Sequence, residues 1–310
     1  MKHYLYKLFL FSVVIAISIG FVFSRADGHF DPFYKRFTSA KQSSLILGSS
    51  RVAQGLMPSV FDNTFGNKTF YNYGFTYNTC PFGPTYLKSI KSKFDTHSKN
   101  DMFIIAVDPW VISSDGINPN DSLQFDESES FLGKITSVNC NPNLSYLIKG
   151  YSDMYVKMLY NKSPYFLHDD GWLEVTVDLT TEQHQKMIDK TVKDYIKKCD
   201  TYKYSKVRLD YLKKTILYLK QYGTVYLVRL PVGTEMIAIE NQLIPDFDAK
   251  IYELSQATSI NYINLFKDTT KYDYIDGHHL TKESSLLISK KVANFIQNIE
   301  ENNRLQNENQ

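Results

Sequence analysis

The chain has 310 residues, 43% hydrophobic and 22% charged, enough apolar material for a packed core and too much for wholesale disorder. Lys plus Arg total 35 against 33 Asp plus Glu, a formal net charge of +2, which argues against a nucleic-acid binder working through a broad basic face. Its three cysteines, Cys80, Cys140 and Cys199, are too few and too scattered for a disulfide scaffold or a zinc cluster, and the reading assigns no metal and no cofactor.

From Leu8 to Ser24 the run LFLFSVVIAISIGFVFS carries no charge, the short end of a membrane-spanning helix. Lys2 and Lys7 precede it, so the positive-inside rule puts the N-terminus in the cytoplasm and everything after Arg25 across the membrane. A cleaved signal peptide is the rival reading. Phe21, Val22 and Phe23 are bulky where a cleavage site needs small residues, so residues 1–25 are read as an uncleaved anchor. The working domain is then periplasmic or at the cell surface, where Cys140 and Cys199 can oxidise.

Residues 26–43 are polar and aromatic and read as a juxtamembrane linker. The domain is expected over 44–299. Ser44 to Leu47 is a short apolar run ending in Gly48, which suits a buried strand feeding a turn. Thr69 to Tyr73 and Met102 to Val107 repeat the pattern, with a helix predicted between them over Thr85 to Phe94. The alternation resumes late: a helix over Val207 to Tyr222, a strand over Thr224 to Leu230, a helix over Phe247 to Ala257 and a strand over Tyr262 to Leu265. Thr281 caps a last helix. Strands alternating with helices predict an α/β domain, a flavodoxin-like doubly wound sheet of about five parallel strands. Residues 112–205 break the alternation and read as a large insertion holding a helix-like stretch from Thr180 to Lys197. Residues 300–310 read as a frayed polar tail.

Chemistry in a doubly wound sheet collects at the carboxyl ends of the strands. Ser49, Ser50 and Arg51 follow the first strand, Asn72 and Gly74 the second, Asp108 the third and Arg229 the fourth, while Asp276 and His279 follow the fifth. A serine at a helix start presents its hydroxyl beside free backbone N–H groups that stabilise an oxyanion. An imidazole supplies its base, and a carboxylate fixes the tautomer of that base. Asp276-Gly-His-His279 sets acid and imidazole in one loop, with His278 the competing imidazole and Ser49 the competing hydroxyl.

Leu45-Ile-Leu-Gly-Ser-Ser-Arg51 resembles the first block of the SGNH (GDSL-like) hydrolase superfamily, and Asp276-Gly-His-His279-Leu280 resembles its closing Asp-x-x-His block. The resemblance implies a catalytic triad of Ser50 as nucleophile, His279 as base and Asp276 as its partner. It also implies an oxyanion hole from the N–H groups of Ser50 and Gly74. The third block departs: Ala106-Val-Asp108-Pro109-Trp110 lacks the usual asparagine donor, for which Asn72 and Asn78 are the candidate substitutes. Arg51, Asn72, Asn78, Asp108 and Arg229 are candidates for contacting substrate. The Gly-Ser-Ser-Arg start and the single anchor look like a membrane-anchored subgroup. That subgroup is similar to the D-alanyl-lipoteichoic acid biosynthesis extracellular protein, which works beside membrane-bound O-acyltransferases. Two functions follow as expectations. One is an extracytoplasmic serine esterase or O-acyltransferase acting on a cell-envelope polysaccharide or glycan. The other is a non-catalytic scaffold of the same fold partnering a membrane-bound O-acyltransferase.

Overall fold

Five short apolar runs, each stopped by a polar or turn-forming residue, build one sheet: β1 (Ser44–Leu47), β2 (Phe70–Asn72), β3 (Asp101–Ala106), β4 (Gly223–Arg229) and β5 (Asn261–Asn264). They are seen in a computed structural model that describes residues 1–160, 163–178 and 180–308. Every pairing is parallel and the strand order is β2-β1-β3-β4-β5, the flavodoxin-like doubly wound order. Successive side chains alternate between two buried faces. Leu45, Leu47, Phe103, Ile105, Val225 and Leu227 pack toward helices Pro84–Lys93, Lys206–Leu219 and Phe247–Thr258. Ile46, Met102, Ile104, Tyr226 and Val228 pack on the other side against Ser50–Gly55, Pro58–Phe65 and Lys282–Glu308. Burial on both faces is why β1 and β3 read as continuous apolar runs, whereas the edge strand β5, Asn-Tyr-Ile-Asn, buries only Ile263. The order reverses between β1 and β3, which puts a crevice at their carboxyl ends.

Several elements differ from the sequence expectation, each for a local reason. Helices Ser50–Gly55 and Pro58–Phe65 are too short for periodicity to announce them, and Thr234–Leu243 bunches its apolar residues at 236–239 instead of spacing them along one face. Residues 26–43, expected as a linker, include a helical turn, Tyr34–Thr38, in which Tyr34, Arg36 and Phe37 are fully buried. Its aromatic side chains join the main core, and the Arg36 guanidinium donates to the Gly171 carbonyl at 2.6 and 3.0 Å. The tail expected to fray continues the last helix to Glu308. Its Glu, Arg, Leu and Gln residues are good helix formers, and Gln297–Glu301 and Arg304–Glu308 contacts at i,i+4 reinforce it. Residues 309–310 lie outside the described residues. All three cysteines are free, with Cys80 and Cys199 buried and Cys140 exposed.

The segment expected as an insertion enters and leaves through a narrow neck. Ser113–Ser114 pairs antiparallel with Lys203–Tyr204, and the Ser205 N–H donates to the Ile112 carbonyl at 3.0 Å. Within it, a hairpin (Tyr165–Leu167 with Leu173–Val175) and a long helix, Thr181–Thr201, fold back over the crevice. Thr180 caps that helix in a reciprocal box with Gln183. At the other end of the chain, Lys2–Phe23 is a single helix, long and apolar enough to cross a membrane, with none of its apolar window buried.

Candidate active site

The turn after β1 is set by Gly48, whose φ of +141° lies where side chains are rarely tolerated. A Cβ there would sit 2.9 Å from the Ala106 carbonyl oxygen, so the turn passes close against β3. Ser49 follows, and its hydroxyl donates to Asp108 Oδ2 at 2.8 Å. The other oxygen of Asp108 accepts the N–H groups of Trp110 and Val111, capping the turn beyond β3. Ser49 and Asp108 therefore tie two strand ends together and are spent on each other. Ser50 is the first residue of its helix, so its N–H has no intrahelical acceptor.

The loop Ile275–Leu280 supplies the other half. Gly277, at φ +91°, lets the chain double back so that Asp276 Oδ1 accepts the N–H groups of His278 at 3.3 Å and His279 at 3.0 Å. Asp276 Oδ2 lies 2.8 Å from His279 Nδ1, and His279 Nε2 lies 2.7 Å from Ser50 Oγ. An ionised carboxylate only accepts, which assigns the proton to Nδ1 and leaves Nε2 to take the serine proton. Burial pushes the Asp276 carboxyl up, but the hydrogen bond and charge of His279 outweigh it and hold the group far below the usual carboxylate range. His278 is buried beneath, its Nε2 3.2 Å from the Tyr195 hydroxyl and its ring 3.9 Å from that of His279. Burial and the neighbouring His279 push His278 well below an ordinary imidazole, so it is neutral. It has no contact with Ser50 of the kind His279 makes.

The remaining sequence candidates lie around this line in different roles. Asn72 is fully buried: its Nδ2 donates to the carbonyls of Val52 at 2.7 Å and Leu56 at 2.9 Å, fastening the serine helix to β2. Its Oδ1 accepts the Gly74 N–H at 3.1 Å, so that N–H is committed to the protein. Gly74 packs tightly on the serine turn, since a Cβ would come within 2.5 Å of Val52 Cγ1 and 3.1 Å of the Ser49 carbonyl. Arg36 holds the Gly74 carbonyl from behind. Asn78 is exposed and lines a separate pocket beside Tyr77. Arg51 and Arg229 do not face the crevice. Both pair with Glu240, buried between them, and Arg229 also reaches Asp248 at 2.6 Å while stacking on Phe266. Burial alone would lower the Arg51 guanidinium; the Glu240 and Asp108 carboxylates reverse this and raise it.

Ser50 and His279 open onto a pocket of about 350 Å³. Its walls mix aromatic rings (Phe33, Phe75, Tyr77, Tyr165 and Tyr195) with polar side chains. The insertion helix contributes Thr191, Asp194, Tyr195 and Lys198, whose spacing puts them on one face. Lys198 Nζ sits over the rings of Tyr195 at 4.6 Å and Tyr77 at 4.9 Å, placing a cation at the edge of an apolar site. None of these was singled out from the sequence; the i, i+3, i+4, i+7 spacing on the Thr180 helix was the available signal. Asp276, His278 and His279 are also the one group of potential metal-ligand residues among those described, their ligand atoms within 4.8 Å of one another. The atoms facing Ser50 and Tyr195 are engaged there, which suits proton transfer along the line.

No family model and no curated protein matches the sequence. Among solved structures, the chain is similar to a carbohydrate acetylesterase from Sinorhizobium meliloti, at 10% identity over 84% of this chain and 100% of that one, with a TM-score of 0.42. It is also similar to an inhibitor-bound aryl esterase from M. smegmatis, at 10% identity over 83% and 99% of the two chains, with a TM-score of 0.40.

Proposed function

We propose that the chain is a membrane-anchored, extracytoplasmic serine esterase or O-acyltransferase acting on acyl groups of a cell-envelope polysaccharide or glycan. The observation that carries the reading is the unbroken line from Asp276 through His279 to Ser50, with 2.8 and 2.7 Å links, at the mouth of a pocket. Ser50 Oγ attacks the ester carbonyl as its proton passes to His279 Nε2, and Asp276 stabilises the imidazolium that results. The oxyanion forms beside the Ser50 N–H; the Gly74 N–H joins it by exchanging Asn72 Oδ1 for the new acceptor. Collapse returns the proton to the leaving alcohol and leaves acyl-Ser50. Water or a sugar hydroxyl, deprotonated by His279, then takes the acyl group.

Pro32 and Phe33, nine and ten residues beyond the end of the Lys2–Phe23 helix, line the pocket, which supports an active site working within a short tether of the outer face of the membrane. A donor carried by a membrane-bound O-acyltransferase would meet it there at high effective concentration. Hydrolysis of a short-chain aryl ester by the full chain and by Ser50→Ala tests the reading. Loss of about 10³-fold or more in the variant is expected. One observation favours the non-catalytic scaffold: the Gly74 N–H is already satisfied by Asn72. A wild-type chain with no turnover and no reaction at Ser50 would support that scaffold instead.

A further inference from the structure

Exposed apolar residues such as Leu123, Leu217 and Tyr252 are spread over the body, but one stretch concentrates them. Leu144, Ile148, Met154, Val156, Leu159 and Tyr160 all lie within one short stretch of the insertion, with Ile148 at 64% and Tyr160 at 66% exposure. Two short helical turns, Leu144–Lys149 and Tyr155–Leu159, carry most of them. Each turn already has an inner apolar face: Tyr146, Leu147 and Met158 are buried in the main core. Leu144 and Ile148, four apart, therefore form a second, outward apolar face that the core does not use. Single exposed hydrophobics are ordinary, whereas a contiguous patch marks an interaction surface.

The position of the patch says what covers it. It lies against the carboxyl end of the Lys2–Phe23 helix: Phe23 and Tyr155 rings are 5.3 Å apart, and Ile19 and Val22 line an apolar cleft of about 440 Å³ with Ile148 and Tyr155. At a rise of about 1.5 Å per residue that helix is about 33 Å long, close to the roughly 30 Å of a hydrocarbon core. Ile19 to Phe23 then emerge at the far interface, and the patch beside them sits at the same level. Tyr155 and Tyr160 suit a headgroup boundary, and the exposed Lys149, next to Ile148 in the chain, is long enough to snorkel toward it.

We propose that residues 144–160 form a second membrane contact, laying their outward apolar face into the lipid interface beside the anchor; this rests on the reading that Lys2–Phe23 spans the bilayer. One helix alone leaves the body free to swing about the end of its tether. Two contacts fix its tilt, and with it the height of the Phe33-walled pocket above the lipid.

Tryptophan reporters in the full chain test this in vesicles of phosphatidylcholine and phosphatidylglycerol with brominated acyl chains. The native Trp110 and Trp172 are buried and give the baseline. Leu159→Trp and Ile148→Trp should lose most of their added emission to the bromines and be shielded from aqueous acrylamide. Leu123→Trp, at a fully exposed site outside the patch, should show the reverse. Ile15→Trp, within the anchor, reports the spanning helix itself. Bromine quenching at 15 with acrylamide quenching at 148 and 159 overturns the docking contact alone. Absence of bromine quenching at 15 overturns the anchor and the docking with it. Shielding at 148 and 159 without bromine quenching assigns the patch to a second copy of the chain and also overturns the proposal.

Discussion

Replacing Asp276 by asparagine keeps the size of the side chain and reverses the polarity of one of its two hydrogen-bonding ends. Oδ1 accepts the backbone N–H groups of His278 and His279 and lies 3.2 Å from His278 Nδ1, and an amide oxygen preserves both backbone bonds. Oδ2 faces His279 Nδ1 at 2.8 Å, and there the amide presents N–H. His279 must then accept at Nδ1 and carry its proton on Nε2, pointing at Ser50 Oγ instead of receiving from it. A serine facing the wrong tautomer has no base. The expected loss in kcat is about 10³- to 10⁴-fold, or about 4–5 kcal/mol in barrier. Aryl-ester hydrolysis measures the loss, and near-UV circular dichroism checks that the loop survives. Asp108→Asn is the control, since Asp108 is the more deeply buried of the two carboxylates but serves only Ser49 and a cap. It should cost stability and change kcat by less than about tenfold, because no proton moves through it. An Asp276→Asn enzyme within tenfold of wild type would refute the tautomer argument.

Ser49→Ala should retain turnover and lose about 1 kcal/mol of unfolding free energy with its bond to Asp108, read from denaturant midpoints. His278→Gln should keep measurable activity where His279→Gln loses about 10³-fold, because only His279 touches Ser50. Glu240→Gln leaves two arginines facing a neutral group in a buried site and should destabilise by about 3 kcal/mol in urea unfolding. Lys93 is buried with its ammonium on the carbonyls of Phe37 and Ser39, and burial lowers it to about 7. The unfolded chain holds that proton up to about pH 10.4, so stability rises with pH between roughly 7 and 10 as the folded state sheds it. Lys93→Met should flatten that slope in urea titrations at pH 7 and 9.5.

What the sequence made legible were features whose signal is local. Each sheet strand is an apolar run bounded by glycine, proline or a polar residue. Ser50 and the Asp276–His279 loop sit at strand ends that a doubly wound order must bring together. Features set by long-range packing were hidden. Arg51 and Arg229 look like free cations at strand ends until the Thr234–Leu243 helix delivers Glu240 between them, and that helix bunches its apolar residues instead of spacing them along one face. Arg36 reads as part of a polar linker because its partners are backbone carbonyls, which leave no trace in composition. The Gly74 N–H was expected to be free, and only the fold shows Asn72 facing it. Tyr195 and Lys198 reach the pocket because the insertion folds back through its neck, a path that no periodicity encodes.

The central claim is that Ser50 is an activated nucleophile, and a fluorophosphonate probe reads this without knowledge of the substrate. Intact mass followed by peptide mapping should show one phosphonyl group per chain, on Ser50, with none on Ser50→Ala and sharply slowed addition to His279→Gln. A wild-type chain that stays unmodified, or one modified at Ser49 with Ser50 untouched, would contradict it.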